Sequence, residues 1–209
     1  MSAPPTLHVS QHPAVLHKLA ILRDERVEPK KFREIVRELS WLLGYEALAD
    51  ARVRPLTVRT PLEETQAHEL GERIGLVPIL RAGLGMVQPF QDIFPDVSIG
   101  YVGLERDHTT AIARSYYCKL PPLDGKRVVV VDPMLATGGS AAQAVEVVKS
   151  AGAKEIVFVC IVAAPEGVAT FSKAHPEVAI HAGVLDRELN AKKYILPGLG
   201  DFGDRLYGT

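Results

Sequence analysis

Asp132 follows four consecutive valines at 128–131 and precedes Pro133, Met134, Leu135 and Ala136, then Thr137-Gly138-Gly139-Ser140. An unbroken apolar run of that kind marks a strand buried on both faces. A carboxylate at its carboxyl end, then hydroxyls and glycines opening a helix at 140–151, is chemistry for a phosphate held beside a polyol. The glycines let the backbone approach an anion, Thr137 and Ser140 offer hydroxyl donors, and the helix start adds partial positive charge. A 5-phosphate in that cradle would turn the 2- and 3-hydroxyls of an attached ribose back toward Asp132. The plainer alternative is an ordinary strand-to-helix turn capped by Ser140.

Two better-known phosphate patterns do not apply. The loop lacks the Gly-Lys-Ser/Thr ending of a nucleoside-triphosphate cradle. Gly198, Gly200 and Gly203 do fit Gly-x-Gly-x-x-Gly, but they follow Leu196-Pro197 rather than a strand, and too few residues follow for a crossover unit. Two further segments carry usable chemistry. Arg81 stands among glycines after Val77-Pro78-Ile79-Leu80, and backbone N–H groups beside a guanidinium suit a pyrophosphate. The tail L-P-G-L-G-D-F-G-D, residues 196–204, leaves main-chain donors and acceptors exposed to read a flat base. A charged stretch at 105–117 adds Arg106 and Arg114, with Lys119 just beyond. From the residues alone, a salt-bridged arginine, a solvated hairpin and a packing tail stay open for these three segments.

The elements that must position these groups follow from hydrophobic period. The spacing predicts helices at 13–24 and 29–50, the second with Phe32, Val36, Leu39 and Leu43 on one face. A third helix is expected at 63–74, closed by Gly75. Strands are expected at 75–80, 98–104, 128–131, 155–164 and 178–182, with a helix opening near Met86 and a charged segment of weak period at 105–117. Residues 194–209 read as an irregular tail. Strands alternating with helices imply an α/β fold, a mostly parallel sheet covered on both faces, with ligands beyond the carboxyl ends of the strands.

Bulk composition narrows the function classes. The chain has 209 residues, 47% of them apolar, enough for one well-buried α/β domain. A net charge of −1 marks no nucleic-acid surface. The longest apolar run, 156–164, is nine residues, too short to span a membrane, and no signal peptide is expected at the start. Cys118 and Cys160 have no paired metal spacing and read as reduced cytoplasmic thiols, Cys160 inside a buried strand. The seven histidines include no H-E-x-x-H pair, and each reads as structural or surface rather than as a metal ligand. No Ser/His/Asp or Cys/His nucleophile set is evident, which suits direct group transfer.

The segment D-P-M-L-A-T-G-G-S resembles the ribose-phosphate motif of the type I phosphoribosyltransferases, in the version of the uracil phosphoribosyltransferase family. Most relatives carry a second acid where this chain has Pro133. H-P-A-V-L-H-K-L at 12–19, F-R-E at 32–34, L-L-G-Y-E-A at 42–47, V-P-I-L-R-A-G-L-G-M at 77–86, V-A-A-P-E-G at 162–167 and P-G-L-G-D-F-G-D-R at 197–205 are similar to that family, in its order.

The resemblance implies one phosphoribosyltransferase domain over 1–209, with N-terminal helices, a flap at 105–117 and a C-terminal hood at 194–209. It implies transfer of 5-phosphoribosyl from 5-phosphoribosyl 1-diphosphate to uracil, with Mg²⁺ held through substrate. Asp132 would bind the ribose hydroxyls, Ala136, Thr137, Gly138, Gly139 and Ser140 the 5-phosphate, and Arg81 and Arg106 the diphosphate, with Pro133, Met134 and Leu135 also in the phosphoribosyl diphosphate site. Asp201 would lie near the diphosphate and its metal, and main chain at Leu196, Gly200, Asp201 and Phe202 would read uracil. The family mostly has Ala where Phe202 stands, and an aromatic where Glu105 stands. A homodimer or higher homo-oligomer in the cytoplasm, without nucleic acid or membrane partners, is expected. Regulation by GTP or another nucleotide stays open, because no motif decides it. The rival readings are a phosphoribosyltransferase for another base, and a non-catalytic nucleotide-sensing or RNA-binding regulator of the same fold.

Overall fold

The valines at 128–131 divide their side chains between two cores. Val128 and Val130 pack with Ala144, Val145, Val148 and Phe171, whereas Val129 and Val131 pack with Phe32, Val36, Leu39 and Leu43. Side chains alternate along a strand, so a run apolar at every position needs a covering layer on each face. A computed structural model describes residues 6–106 and 113–209 of the chain.

The chain begins with β1 (Leu7–Val9), α1 (Pro13–Arg23) and α2 (Pro29–Ala47), then a hairpin of β2 (Val53–Arg59) and β3 (Glu64–Leu70). Next come β4 (Arg73–Leu80), a 3-10 turn (Ala82–Met86), α3 (Val87–Ile93), β5 (Ser98–Ile99), β6 (Tyr101–Arg106) and β7 (Ala113–Lys119). The second half runs through β8 (Lys126–Val131), β9 (Met134–Leu135), α4 (Gly139–Ser150), β10 (Glu155–Ala163), α5 (Pro165–Ala174) and β11 (Ala179–Leu185). It closes with β12 (Glu188–Leu189), β13 (Ile195–Leu196) and α6 (Phe202–Tyr207).

The main sheet has the order β1-β11-β10-β8-β4-β6-β7, with β5 on β4 and β9 on β10. Its pairings are parallel except β6 with β7. The expected mostly parallel sheet with helices on both faces is therefore present. The central strands β8, β10 and β4 bury nearly their whole length, so the sheet is a stiff floor for the loops at its carboxyl end.

Three expectations need correction. Residues 63–74 do not form a helix: β3 pairs antiparallel with β2, from Val53 opposite Leu70 to Arg59 opposite Glu64. Its residues E-T-Q-A-H-E-L tolerate a helix locally, but cross-strand partners decide the outcome. Gln66 donates to Thr57 at 2.9 Å and Arg54 pairs with Glu69 at 2.7 Å. The expected strand 98–104 is broken at Gly100, whose N–H donates to the Leu76 carbonyl at 2.9 Å. The tail is more regular than expected, since it contains β13 and α6. The charged segment enters as the antiparallel β6–β7 hairpin, and the flap's middle, 107–112, lies outside the described residues.

Candidate active site

The carboxyl ends of three neighbouring strands build the site. Pro78 of β4 lies opposite Val131 of β8, and Val131 lies opposite Val159 of β10. Asp132 is the next residue, and its N–H donates to the Val159 carbonyl at 3.2 Å. The chain then hooks back onto β10. The Pro133 carbonyl accepts from Ile161 and Val162 at 3.0 Å, and the Leu135 carbonyl accepts from Ala164 at 2.9 Å. The loop between Asp132 and the phosphate cradle is thus laced to the sheet.

Gly138 is the N-cap of α4 at φ +80°, and a Cβ there would sit 2.5 Å from the Gly167 carbonyl oxygen. Only glycine fits that backbone and that approach. No side chain caps the helix, so the ordinary turn capped by Ser140 is not what the chain builds. The first-turn N–H groups of α4 are left for an anion or water.

A cavity of about 250 Å³ opens over this helix start. Asp132, Met134, Leu135, Ala136, Thr137, Gly138 and Ser140 line one side, and Asp201 and Phe202 of the tail line the other. Pro133 and Gly139 belong to the same loop but do not line the cavity. Ala82, directly after Arg81, also lines it, so the loop after Asp132, the loop after β4 and the tail meet at this cavity, although Arg81 itself does not line it. Asp132 keeps some solvent contact at the cavity, yet the protein packed round it pushes its carboxyl up to about 7. A single backbone donor, the Met134 N–H at 3.3 Å, works in the opposite direction. Behind it, burial and then the Asp132 charge push the Cys160 thiol up, which keeps that group inert.

Arg81 is exposed at the end of β4, across a cis Leu80–Arg81 peptide. Tyr207 of α6, which the sequence reading did not single out, donates its hydroxyl to the Arg81 carbonyl at 3.0 Å. The Arg81 guanidinium lies 5.9 Å from the centre of the Tyr207 ring, and burial pushes the Tyr207 hydroxyl up. Arg106 ends β6 opposite Ala113 of β7; its side chain lies outside the described residues.

The tail is held by side chains from far upstream. The Leu196 carbonyl accepts from the Arg187 N–H at 3.0 Å, and the Leu196–Pro197 peptide is cis. Neither Leu196 nor Gly200 lines the cavity over α4. Asp201 Oδ1 accepts the Asp204 N–H at 3.0 Å and so caps α6. Phe202 borders the cavity, but its ring is 3% exposed and packs edge-on against Phe32 of α2, with centroids 5.2 Å apart. The ring that replaces the family's alanine is absorbed by the core. Arg205 lies over the Phe32 ring and donates to the carbonyls of Leu22, Asp24 and Leu199. An ion pair of Arg23 and Asp186 reaches the same turn. Arg23, Asp186 and Tyr207 carry no chemical motif of their own, and their partners lie up to 175 residues away, so no local pattern marked them.

Two acidic residues, Asp132 and Asp201, line the same cavity. Among the described residues no group of three or more His, Cys, Asp or Glu is placed to hold a metal ion. A larger mixed-charge cleft of about 700 Å³ lies at the opposite, amino ends of β8, β10 and β11. No strand-end loop opens there, so convergence of chemistry rather than size marks the site.

A family model described as uracil phosphoribosyltransferase matches residues 9–209. A uracil phosphoribosyltransferase from Roseiflexus castenholzii is 54% identical over 202 residues, covering 96% of this chain and 97% of that one. One from Symbiobacterium thermophilum is 47% identical over 203 residues, with 96% and 97% covered. The solved structure of the AQ2163 protein from Aquifex aeolicus has a TM-score of 0.92 at 38% identity, over 97% of this chain and 98% of that one. A hypoxanthine-guanine phosphoribosyltransferase from Bacillus anthracis has a TM-score of 0.53 at 16% identity, over 76% of this chain and 80% of that one, a likeness of fold alone.

Proposed function

The chain belongs to the uracil phosphoribosyltransferase family, and on that premise we infer which of its residues carry the reaction. The enzyme takes 5-phosphoribosyl 1-diphosphate and uracil to UMP and diphosphate, a step of pyrimidine salvage. The observation that carries the assignment of residues is the convergence of Asp132, the α4 start and Asp201 on one cavity.

The 5-phosphate sits on the cradle from Ala136 to Ser140, where Gly138 gives access and the N–H groups of α4 and nearby hydroxyls donate. The ribose hydroxyls then face Asp132, which accepts their hydrogens when ionised. Diphosphate leaves C1 with the bonding pair, a ring nitrogen of uracil forms the new bond, and its proton is released. The transition state carries positive charge at C1 and growing negative charge on the leaving group. Asp132 favours the first, and Arg81 and Arg106 offset the second. Main chain at Leu196 and from Gly200 to Phe202 reads the base.

Two hard carboxylates in a site with few other acids fit Mg²⁺, which keeps waters and substrate oxygens as most of its ligands. Asp201 and Asp132 would stand beside it, and when bound it neutralises charge on the departing diphosphate. A homo-oligomer and a cytoplasmic location belong to the same inference. The hairpin's exposed Val53, Leu56, Leu62 and Leu70 support an assembly, to be read from the mass in solution.

Product formation from 5-phosphoribosyl 1-diphosphate, Mg²⁺ and each free base in turn tests the reading. UMP from uracil alone is expected. Turnover of another base would overturn the role of the tail, and donor binding without product from any base would favour a regulator.

A further inference from the structure

The turn from Leu196 to Gly200 is gripped at its centre by an ion pair drawn from two distant elements. Arg23, the last residue of α1, donates through Nη1 and Nη2 to the two oxygens of Asp186 at 2.9 and 2.6 Å. Arg23 Nη1 also donates to the Gly198 carbonyl at 2.7 Å, and Asp186 Oδ2 accepts the Gly198 N–H at 2.9 Å. Both backbone groups of Gly198 are therefore committed to one ion pair. The Asp186 side chain is 4% exposed and that of Arg23 25%. Gly198 itself holds φ +59°, a left-handed conformation open to glycine, and a Cβ there would run into the Ile195 carbonyl.

We propose that Arg23 and Asp186 are positioning residues for the base: they set the main-chain groups of Leu196 and Gly200 at the spacing that fits uracil. This rests on the reading that the tail is the base-recognition element. A buried ion pair contributes little net stability, because desolvation of both charges offsets their attraction. What this pair determines is geometry. Its bidentate fork fixes two planes at once, and the same two side chains fix the two sides of the Gly198 residue. The ribose and 5-phosphate side of the site is held independently. Its loop is laced to β10 through Pro133 and Leu135, and no bond from Arg23 or Asp186 reaches it among the described residues. Loss of the pair thus separates the two substrates: uracil binding suffers, and donor binding does not.

The test is steady-state kinetics of the full chain with both substrates varied, on Asp186→Asn, Arg23→Lys and Gly200→Ala. Asn keeps the shape of Asp186 but presents an amide donor toward Arg23. Lys keeps the charge of Arg23 and loses the fork, so it remains informative where Asp186→Asn fails to fold. Each variant of the pair is expected to raise KM for uracil about tenfold or more, with KM for the donor within about twofold of the parent. A fall in melting temperature with both KM values unchanged, or both KM values rising together, would mean a structural role and overturn the proposal. A raised uracil KM in Gly200→Ala alone would leave the tail as the base reader and remove the pair from positioning it. An unchanged uracil KM in all three would remove the tail itself, and the proposal with it.

Discussion

Acidifying the enzyme from pH 8 to pH 6 should disable donor capture through one residue, Asp132. Its carboxyl sits at about 7 rather than 3.8, because packed protein replaces water and only the Met134 N–H compensates. The ionised fraction is then about nine-tenths at pH 8 and about one-tenth at pH 6. Only the ionised form accepts hydrogens from both ribose hydroxyls, so kcat/KM for the donor should drop about tenfold over that range. An aspartate at 3.8 would stay ionised throughout and show no such change. The donor's own phosphates titrate in the same interval, so the informative quantity is the ratio of parent to Asp132→Asn. That ratio should be about 100 at pH 8, which is about 2.7 kcal/mol of transition-state stabilisation, and about 10 at pH 6. Stability moves the other way. A carboxyl raised by folding contributes stability that is fully present below 3.8 and is lost as pH rises through about 7. The stability of the ligand-free parent, compared with Asp132→Asn, should therefore fall as pH rises toward and through about 7 while donor capture improves. A parent-to-variant kinetic ratio that stays flat from pH 6 to 8 would refute both the raised carboxyl and its ribose role.

Arg81 is exposed, so Arg81→Ala should leave the melting temperature unchanged and raise KM for the donor about 10- to 100-fold, the loss of charge-assisted bonds to diphosphate. Tyr207→Phe deletes only the bond to the Arg81 carbonyl, about 1 kcal/mol, and donor KM should rise severalfold with uracil KM unmoved. Gly138→Ala strains a left-handed backbone against the Gly167 carbonyl; about 1–3 kcal/mol of stability and most 5-phosphate affinity should go, read by denaturant titration and by UMP binding. Phe202→Ala should cost about 3–5 kcal/mol, because the ring packs into the core against Phe32, while selectivity in a base panel is retained.

The chemistry of the site was largely legible from residue order. An apolar strand ending in an acid and a Thr-Gly-Gly-Ser helix start specify a phosphate cradle through local geometry alone, and Arg81 and Asp201 are marked by the glycines round them. The hairpin of β2 and β3 was not legible, because E-T-Q-A-H-E-L satisfies a helix as readily as a strand until Thr57 and Arg54 stand opposite it. Nor was α6, whose cap at Asp201 doubles as a residue of the cavity wall.

By itself, then, the sequence determined the α/β class, the two-sided burial of the central strands, and the glycine-rich turn from β8 into α4, since each depends on contacts within a few residues. The tertiary structure alone decided the rest. It raised Asp132 by surrounding it with packed protein, turned Phe202 into the core against Phe32, and brought Arg23 onto Asp186 and the tail. Those effects come from burial and from partners more than a hundred residues distant, and neither the dielectric around a carboxyl nor the far end of a hydrogen bond is encoded in its neighbours along the chain.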